Sequence, residues 1–304
     1  MTATHAAAVF TLACALAASP RPAPAAPAPA GASAPAAPPA EAAPELPLTG
    51  LTAEQQQILT AWSKTAFCYC GCPHTVEQCM REHRTCKHAP RMAAYAARLL
   101  RAGAKKDELA RLVGSYYASF DPGKRAKIDV SRFGPPLGDP AAKVTLVEWS
   151  DFTCPYCQLV RPVLESFIEE RKGRVKLVYK PVPIESHAGA LELAQAGEWA
   201  RDQNLFWPMH DALFASPGSH SADELAATAR GLGGDGEALR AALESGKYVA
   251  KVRESQAEAR AARITGTPSL FLDGRALTDL SEEGLDFTLE DEEEWIERGG
   301  WTKD

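Results

Sequence analysis

The run Trp149-Ser150-Asp151-Phe152-Thr153-Cys154-Pro155-Tyr156-Cys157-Gln158 joins two stretches of different periodicity. Before it, Val144 to Ser150 is rich in β-branched and apolar residues, a strand pattern; after it, Leu159 to Glu170 repeats apolar residues at helical spacing. The two cysteines therefore sit where a strand hands over to a helix. A helix N-terminus presents unpaired N–H groups and the positive end of the macrodipole, and both attract negative charge on a sulfur placed there. A CxxC in that position reads as a redox pair. Cys154 is the nucleophile, Cys157 the resolving thiol, and Pro155-Tyr156 the dipeptide that tunes the balance between them. A structural disulfide or half of a zinc site is the bland alternative, but no second cysteine pair lies in this part of the chain.

Downstream, Arg174 to Lys180 reads as a second strand. A strand, helix, strand unit with short connections implies a parallel pair with a right-handed crossover. The pattern then changes: Ser186 to Arg263 is rich in Ala, Leu and Glu, with breaks near Asn204, Pro217 to Ser221 and Gly231 to Gly236, and reads as a helical insertion. Trp199, Phe206, Trp207 and Phe214 are expected to form its core, with His187 and His210 as helix-start and packing residues. Strand character returns at Thr267-Pro268-Ser269-Leu270-Phe271-Leu272-Asp273-Gly274-Arg275-Ala276-Leu277, where Asp273-Gly274 makes a hairpin turn. Pro268 at the head of a strand needs special geometry, and Gly266-Thr267-Pro268 is small enough for a cis peptide. Leu289 to Arg298 reads as a closing amphipathic helix. Its acidic run Glu290 to Glu294 is expected to be a solvated face lying in the first helical turn.

Upstream, three segments precede Phe133 to Pro140, a turn-rich boundary. Residues 1–19 hold an apolar core from Ala6 to Ala18, too short to span a bilayer and suited to a signal peptide. Leu12-Ala13-Cys14 resembles the end of a bacterial lipobox, which would put a lipid anchor on Cys14. Residues 20–50 are dominated by Ala and Pro, a composition that cannot bury enough apolar surface to offset its chain entropy and reads as a disordered, semi-rigid spacer. Residues 51–129 are helical by pattern, with Thr52 as an N-cap and helices over Glu54 to Lys64, Ala89 to Arg101 and Asp107 to Phe120. A three-helix unit of that size is marginal without staples or a metal. Its five cysteines, Cys68, Cys70, Cys72, Cys79 and Cys86, with His74 and His88 beside them, fit three readings: two disulfides with a spare thiol, zinc or copper(I) ligation, or a second redox centre. The balance of 33 basic against 39 acidic residues, a net charge of −6, argues against nucleic acid as the main partner.

The run Cys70-Gly71-Cys72-Pro73-His74, followed by Leu99 to Leu109 and Leu112 to Tyr117, resembles the thiol-bearing helical domain of CcmH/CycL, which handles apocytochrome c cysteines; the cluster also resembles PCYCGC-motif lipoproteins, with Phe67 in place of the leading proline. That CcmH/CycL family carries one CxxC where this chain has CxCxC. From about Pro140 to Gly300 the chain resembles the DsbA-like thiol:disulfide oxidoreductases. The motifs that carry this are Val147 to Cys157, Phe206-Trp207-Pro208-Met209-His210-Asp211-Ala212-Leu213-Phe214, and Gly266 to Gly274. The resemblance implies that Pro268 is cis and packs beside the sulfurs, that Thr267 lends backbone hydrogen bonds to a bound polypeptide, and that Glu148, six residues before Cys154, is the buried acid that assists proton transfer at Cys157.

The expected architecture is thus α/β: a thioredoxin-like fold with a helical insertion over 130–304, preceded by a small cysteine-rich all-α domain. The expected function is an exported thiol:disulfide oxidoreductase in the periplasm or cell envelope, acting on cysteine-containing exported proteins with a membrane redox partner. It requires no cofactor, and zinc or copper enters only at the Cys68 to Cys86 cluster. The competing classes are a metal-handling protein that uses this cluster and a reductant in cytochrome c maturation.

Overall fold

The computed structural model describes residues 44–83, 85–216, 218 and 220–301. The expected signal peptide, the lipobox cysteine and most of the spacer lie outside them. No helix among the described residues is long and apolar enough to cross a membrane.

The sheet is built from β1 (Leu137–Gly138), β2 (Val144–Ser150), β3 (Val175–Pro181), β4 (Ser269–Leu272) and β5 (Arg275–Ala276), in the order β1-β3-β2-β4-β5. β2 and β3 run parallel and every other pair is antiparallel. The connection between the parallel pair is α5 (Pro155–Glu170), as the strand, helix, strand pattern requires. β1 was not legible in the turn-rich boundary, since two residues give no periodicity; it caps the β3 edge.

Side chains alternate between the faces of a strand. Val144 and Leu146 of β2 pack with Leu164, Phe167 and Ile168 of α5 and with Leu285 and Leu289 of α11 (Glu282–Arg298). Val147 and Trp149, of the other parity, pack with Val178, Phe271 and Phe133. Glu148 and Ser150 share the parity of Val144 and Leu146, so β2 aims both at the α5 face. The register Glu148↔Leu270 and Trp149↔Ser269 brings the start of β4 to the end of β2 where the CxxC begins.

Among the described residues the insertion forms five helices, α6 (Ala190–Asp202), α7 (Phe206–Ala215), α8 (Ala222–Gly231), α9 (Gly236–Glu244) and α10 (Val249–Ala261). Asn204 takes a left-handed φ of 57°, and Gly234 lies 2.7 Å from Trp199 when a Cβ is built on it, so the break there needs glycine. Trp199, Phe206 and Phe214 form the insertion core as expected, and Trp207 packs at its rim.

Among the described residues the cysteine-rich unit has four helices, not three: α1 (Ala53–Ser63), α2 (Val76–Glu82), α3 (His88–Arg101) and α4 (Lys106–Ala118). Thr52 caps α1, its hydroxyl accepting from Gln55 N at 3.2 Å. α2, capped the same way by Thr75, is only seven residues long and escapes a periodicity test. Residues 44–50, assigned to the spacer on composition, are seated against this unit through Leu46 and Leu48.

One sequence expectation is overturned in α11. The helix starts at Glu282, so the acidic run lies in its middle, and Asp291 and Glu292 are fully buried. Arginines distant in sequence account for this. Asp291 pairs with Arg91 of α3 and accepts from Tyr116 Oη of α4 at 2.8 Å. Glu292 pairs with Arg125 at 2.6 Å and Arg275 of β5 at 2.9 Å. Arg98 of α3 pairs with Asp279, while Ala126 N donates to Gly274 O at 2.8 Å. The described residues thereby form one compact unit.

Candidate functional site

Cys154 occupies the N-cap of α5, with Pro155 at the first helical position, where its missing N–H costs nothing. Its sulfur is almost buried, and Cys157, one turn along, is completely so. Tyr156 points outward, 69% exposed, and with Leu159 and Val163 leaves an apolar stripe open to solvent beside Cys154. The Thr267–Pro268 peptide is cis. Cys154 Sγ donates to the Thr267 carbonyl oxygen at 3.4 Å, so the β2/β4 register places this loop directly over the first sulfur.

Glu148 lies behind the pair. Its carboxyl is fully buried, Oε1 has no hydrogen-bond partner among the described residues, and burial pushes it up to about 7, with the Ser150 hydroxyl acting in the opposite sense. Burial likewise pushes the Cys157 thiol up to about 12, and the Glu148 charge adds to this. An acid poised near neutrality thus bears electrostatically on a thiol that holds its proton tightly.

Asp151, which residue patterns alone do not single out, organises the approach to the cysteines. One carboxylate oxygen accepts from Thr153 N at 2.8 Å and Thr153 Oγ1 at 2.6 Å; the other accepts from Ile184 N at 2.9 Å and meets His187 Nδ1 at 2.8 Å. Its carbonyl accepts from Cys154 N at 3.0 Å. The Asp-Phe-Thr spacing, in which Asp151 bonds two residues ahead, was the available signal. His187 is therefore tied to this carboxylate as well as preceding α6. His210 is a packing residue, enclosed by Phe152, Tyr179, Phe206 and Phe214, with Nδ1 against Asp211 at 2.9 Å. Phe152 and Tyr179 stack 4.9 Å apart and join the insertion core to both cysteines.

The second cysteine group is also assembled. Cys68, Cys70, Cys79 and Cys86 are buried, with all four sulfurs within 4.8 Å of one another. Cys72 is partly exposed, lies 3.0 Å from the sulfurs of Cys70 and Cys79, and forms with His74 and that same Cys79 an overlapping group. His88 is in neither group; its ring packs edge-on against Trp301 at 4.8 Å. The hydrogen bond with Cys68, aided by the His88 and Ala89 N–H groups at the start of α3, holds Cys86 down to about 5.

A family model described as Thioredoxin matches residues 132–291, more than half of the chain. Among curated relatives, the Na(+)/H(+) antiporter NhaA 1 of Salinispora arenicola is 32% identical over 139 residues, covering 45% of this chain and 21% of that protein. The Na(+)/H(+) antiporter NhaA of Herminiimonas arsenicoxydans is 31% identical over 140 residues, covering 46% and 22%. The chain spans about a fifth of the length of these relatives. Among solved structures, oxidised BdbD from Bacillus subtilis is similar in fold, with a TM-score of 0.50 at 21% identity over 55% of this chain and 96% of that one. A sheet whose parallel pair is crossed by a helix headed by CxxC is what that family match leads one to find, and the chain belongs to the thioredoxin family.

Proposed function

We propose that the protein is an exported thiol:disulfide oxidoreductase of the periplasm or cell envelope that acts on cysteines of other exported proteins. The observation that carries the reading is the placement of Cys154 at the N-cap of α5, 3.4 Å from the Thr267 carbonyl, with buried Cys157 and Glu148 behind it. With the pair oxidised, a substrate thiolate attacks Cys154 Sγ and the Cys154–Cys157 bond breaks. Cys157 leaves as a thiolate and takes a proton from Glu148. A second substrate thiolate then attacks the substrate sulfur of the mixed disulfide and releases Cys154, so two substrate thiols are oxidised as two enzyme thiols form. The reverse sequence reduces a substrate disulfide, with Glu148 accepting the Cys157 proton before Cys157 displaces the substrate. The Thr267 backbone is suited to hold the polypeptide, and the Tyr156, Leu159 and Val163 stripe offers it an apolar face. A membrane redox partner would reset the pair.

The test is exchange on a reduced or oxidised model protein. Cys154→Ser is expected to bring exchange to background, and Cys157→Ser to accumulate a mixed disulfide through Cys154. Undiminished exchange by Cys154→Ser would overturn the proposal.

A further inference from the structure

The sulfurs of the helical unit are arranged in a way the thiol-exchange chemistry does not use. Cys68 and Cys86 are 3.7 Å apart and Cys70 and Cys79 are 3.9 Å apart, and the remaining separations among these four stay within 4.8 Å. Four ligands at about 2.3 Å from one ion at tetrahedral angles must stand about 3.8 Å from each other. Two separate disulfides would need only two close pairs, each near about 2.05 Å. Convergence of both pairs on one point is what a single ion requires. We infer that Cys68, Cys70, Cys79 and Cys86 form a closed tetrathiolate site for one zinc ion.

The backbone supplies the sulfurs from three directions. Cys68 and Cys70 stand on a tight loop in which Phe67 bridges Thr75 and Cys68 N donates to His74 O at 3.1 Å. Gly71, at a φ of +79°, lets this loop reverse between Cys70 and Cys72. Cys79 comes from α2, and Cys86 from the turn before α3, its N–H donating to His83 O at 2.9 Å. The four sulfurs lie in the same core as Trp62, Met80, Met92 and Tyr117, and all four cysteines are buried. A closed four-sulfur site suits a structural zinc; copper(I) in thiolate sites prefers fewer ligands. The ion would join a seven-residue helix, too short to persist alone, to the loop and to α3. It would also withhold four thiols from exchange and leave Cys72, partly exposed and 3.0 Å from the sulfurs of both Cys70 and Cys79, as a fifth sulfur beside the ion.

The experiment uses the full chain, purified under reductant and offered zinc and copper(I) in separate arms, with metal measured by mass spectrometry and thiols counted before and after a zinc chelator. Expected are about one zinc per chain and four thiols that react only after chelation. Cys70→Ser and Cys86→Ser should lose the zinc, whereas Cys72→Ser and the Cys154→Ser/Cys157→Ser double variant should keep it. Because the first two variants can fail to fold, the unaltered chain is also titrated with Co²⁺, whose visible absorption reports a tetrahedral four-thiolate site directly. Absence of those bands, tight binding of copper(I) with no zinc retained, zinc lost in Cys72→Ser, or isolation with these four cysteines in two disulfides would each overturn the inference.

Discussion

Replacing Glu148 by Gln separates the two roles a buried acid can have, because glutamine keeps the shape and removes the titration. The carboxyl is wholly buried, and the groups bearing on it, Ser150 and Glu165, bring no positive charge. Burial raises it from 4.5 to about 7, so the folded protein retains this proton where the unfolded chain has released it. Below pH 4.5 the acid is protonated in both states and adds no pH dependence. As pH rises from there through about 7, folding is progressively penalised, and the penalty levels off at roughly 3 kcal/mol at 1.36 kcal/mol per unit. The stability difference, variant minus parent, should therefore rise by roughly 3 kcal/mol between about pH 4 and about pH 8. Any constant offset from the amide leaves that slope untouched. Asp273, raised to about 6 by burial, titrates in both proteins and cancels. Urea unfolding across this range, with reductant present throughout, measures the difference. The same variant should slow resolution of the Cys154 mixed disulfide by roughly a hundredfold, since Cys157, at about 12, needs a base to release its proton. A difference flat with pH to within about 0.5 kcal/mol would refute the argument that Glu148 is held neutral by burial.

Asp151→Ala removes the acceptor of Thr153, Ile184 and His187 together and should cost about 3 kcal/mol in urea unfolding, with slower exchange because the loop before Cys154 is no longer held. Glu292→Ala leaves Arg125 and Arg275 facing each other without their carboxylate and should cost about 3–5 kcal/mol. Tryptophan fluorescence and far-UV dichroism should move to lower denaturant together, as the lost pairs tie β5 and the segment after α4 to the same helix.

The sequence made the site legible because its geometry is local or follows strand parity. The strand-to-helix junction put Cys154 at an N-cap, and alternation along β2 put Glu148 on the face that α5 covers. Thr267 and Pro268 depended on recognising a motif over a hundred residues away; only the antiparallel register with β4 gives a physical reason for their position. Asp151 is hard to single out in the sequence because its importance lies in the partners Ile184 and His187, which fold in from beyond β3. The acidic stretch of α11 misleads for a similar reason. Five consecutive acids look solvated until Arg91, Arg125 and Arg275 arrive from three other parts of the chain. The second cysteine group was readable as chemistry-bearing, but CxCxC spacing does not say which sulfurs meet, and α2 and the turn at Cys86 decide that.

Asp291 and Glu292 are neighbours on α11 that serve different clients: the first holds α3 and α4, the second holds Arg125 and the β5 hairpin. A composition-based parser would cut this chain near residue 130 and expect two transferable cassettes. The helix that closes the sheet is also the wall against which the sulfur-bearing helices rest, with Trp295 and Trp301 completing their core. A fragment ending at the boundary would carry away arginines whose carboxylates remain on the other piece. Recombination that swapped either part would have to bring α11 with it, so the two halves are bound to be inherited together.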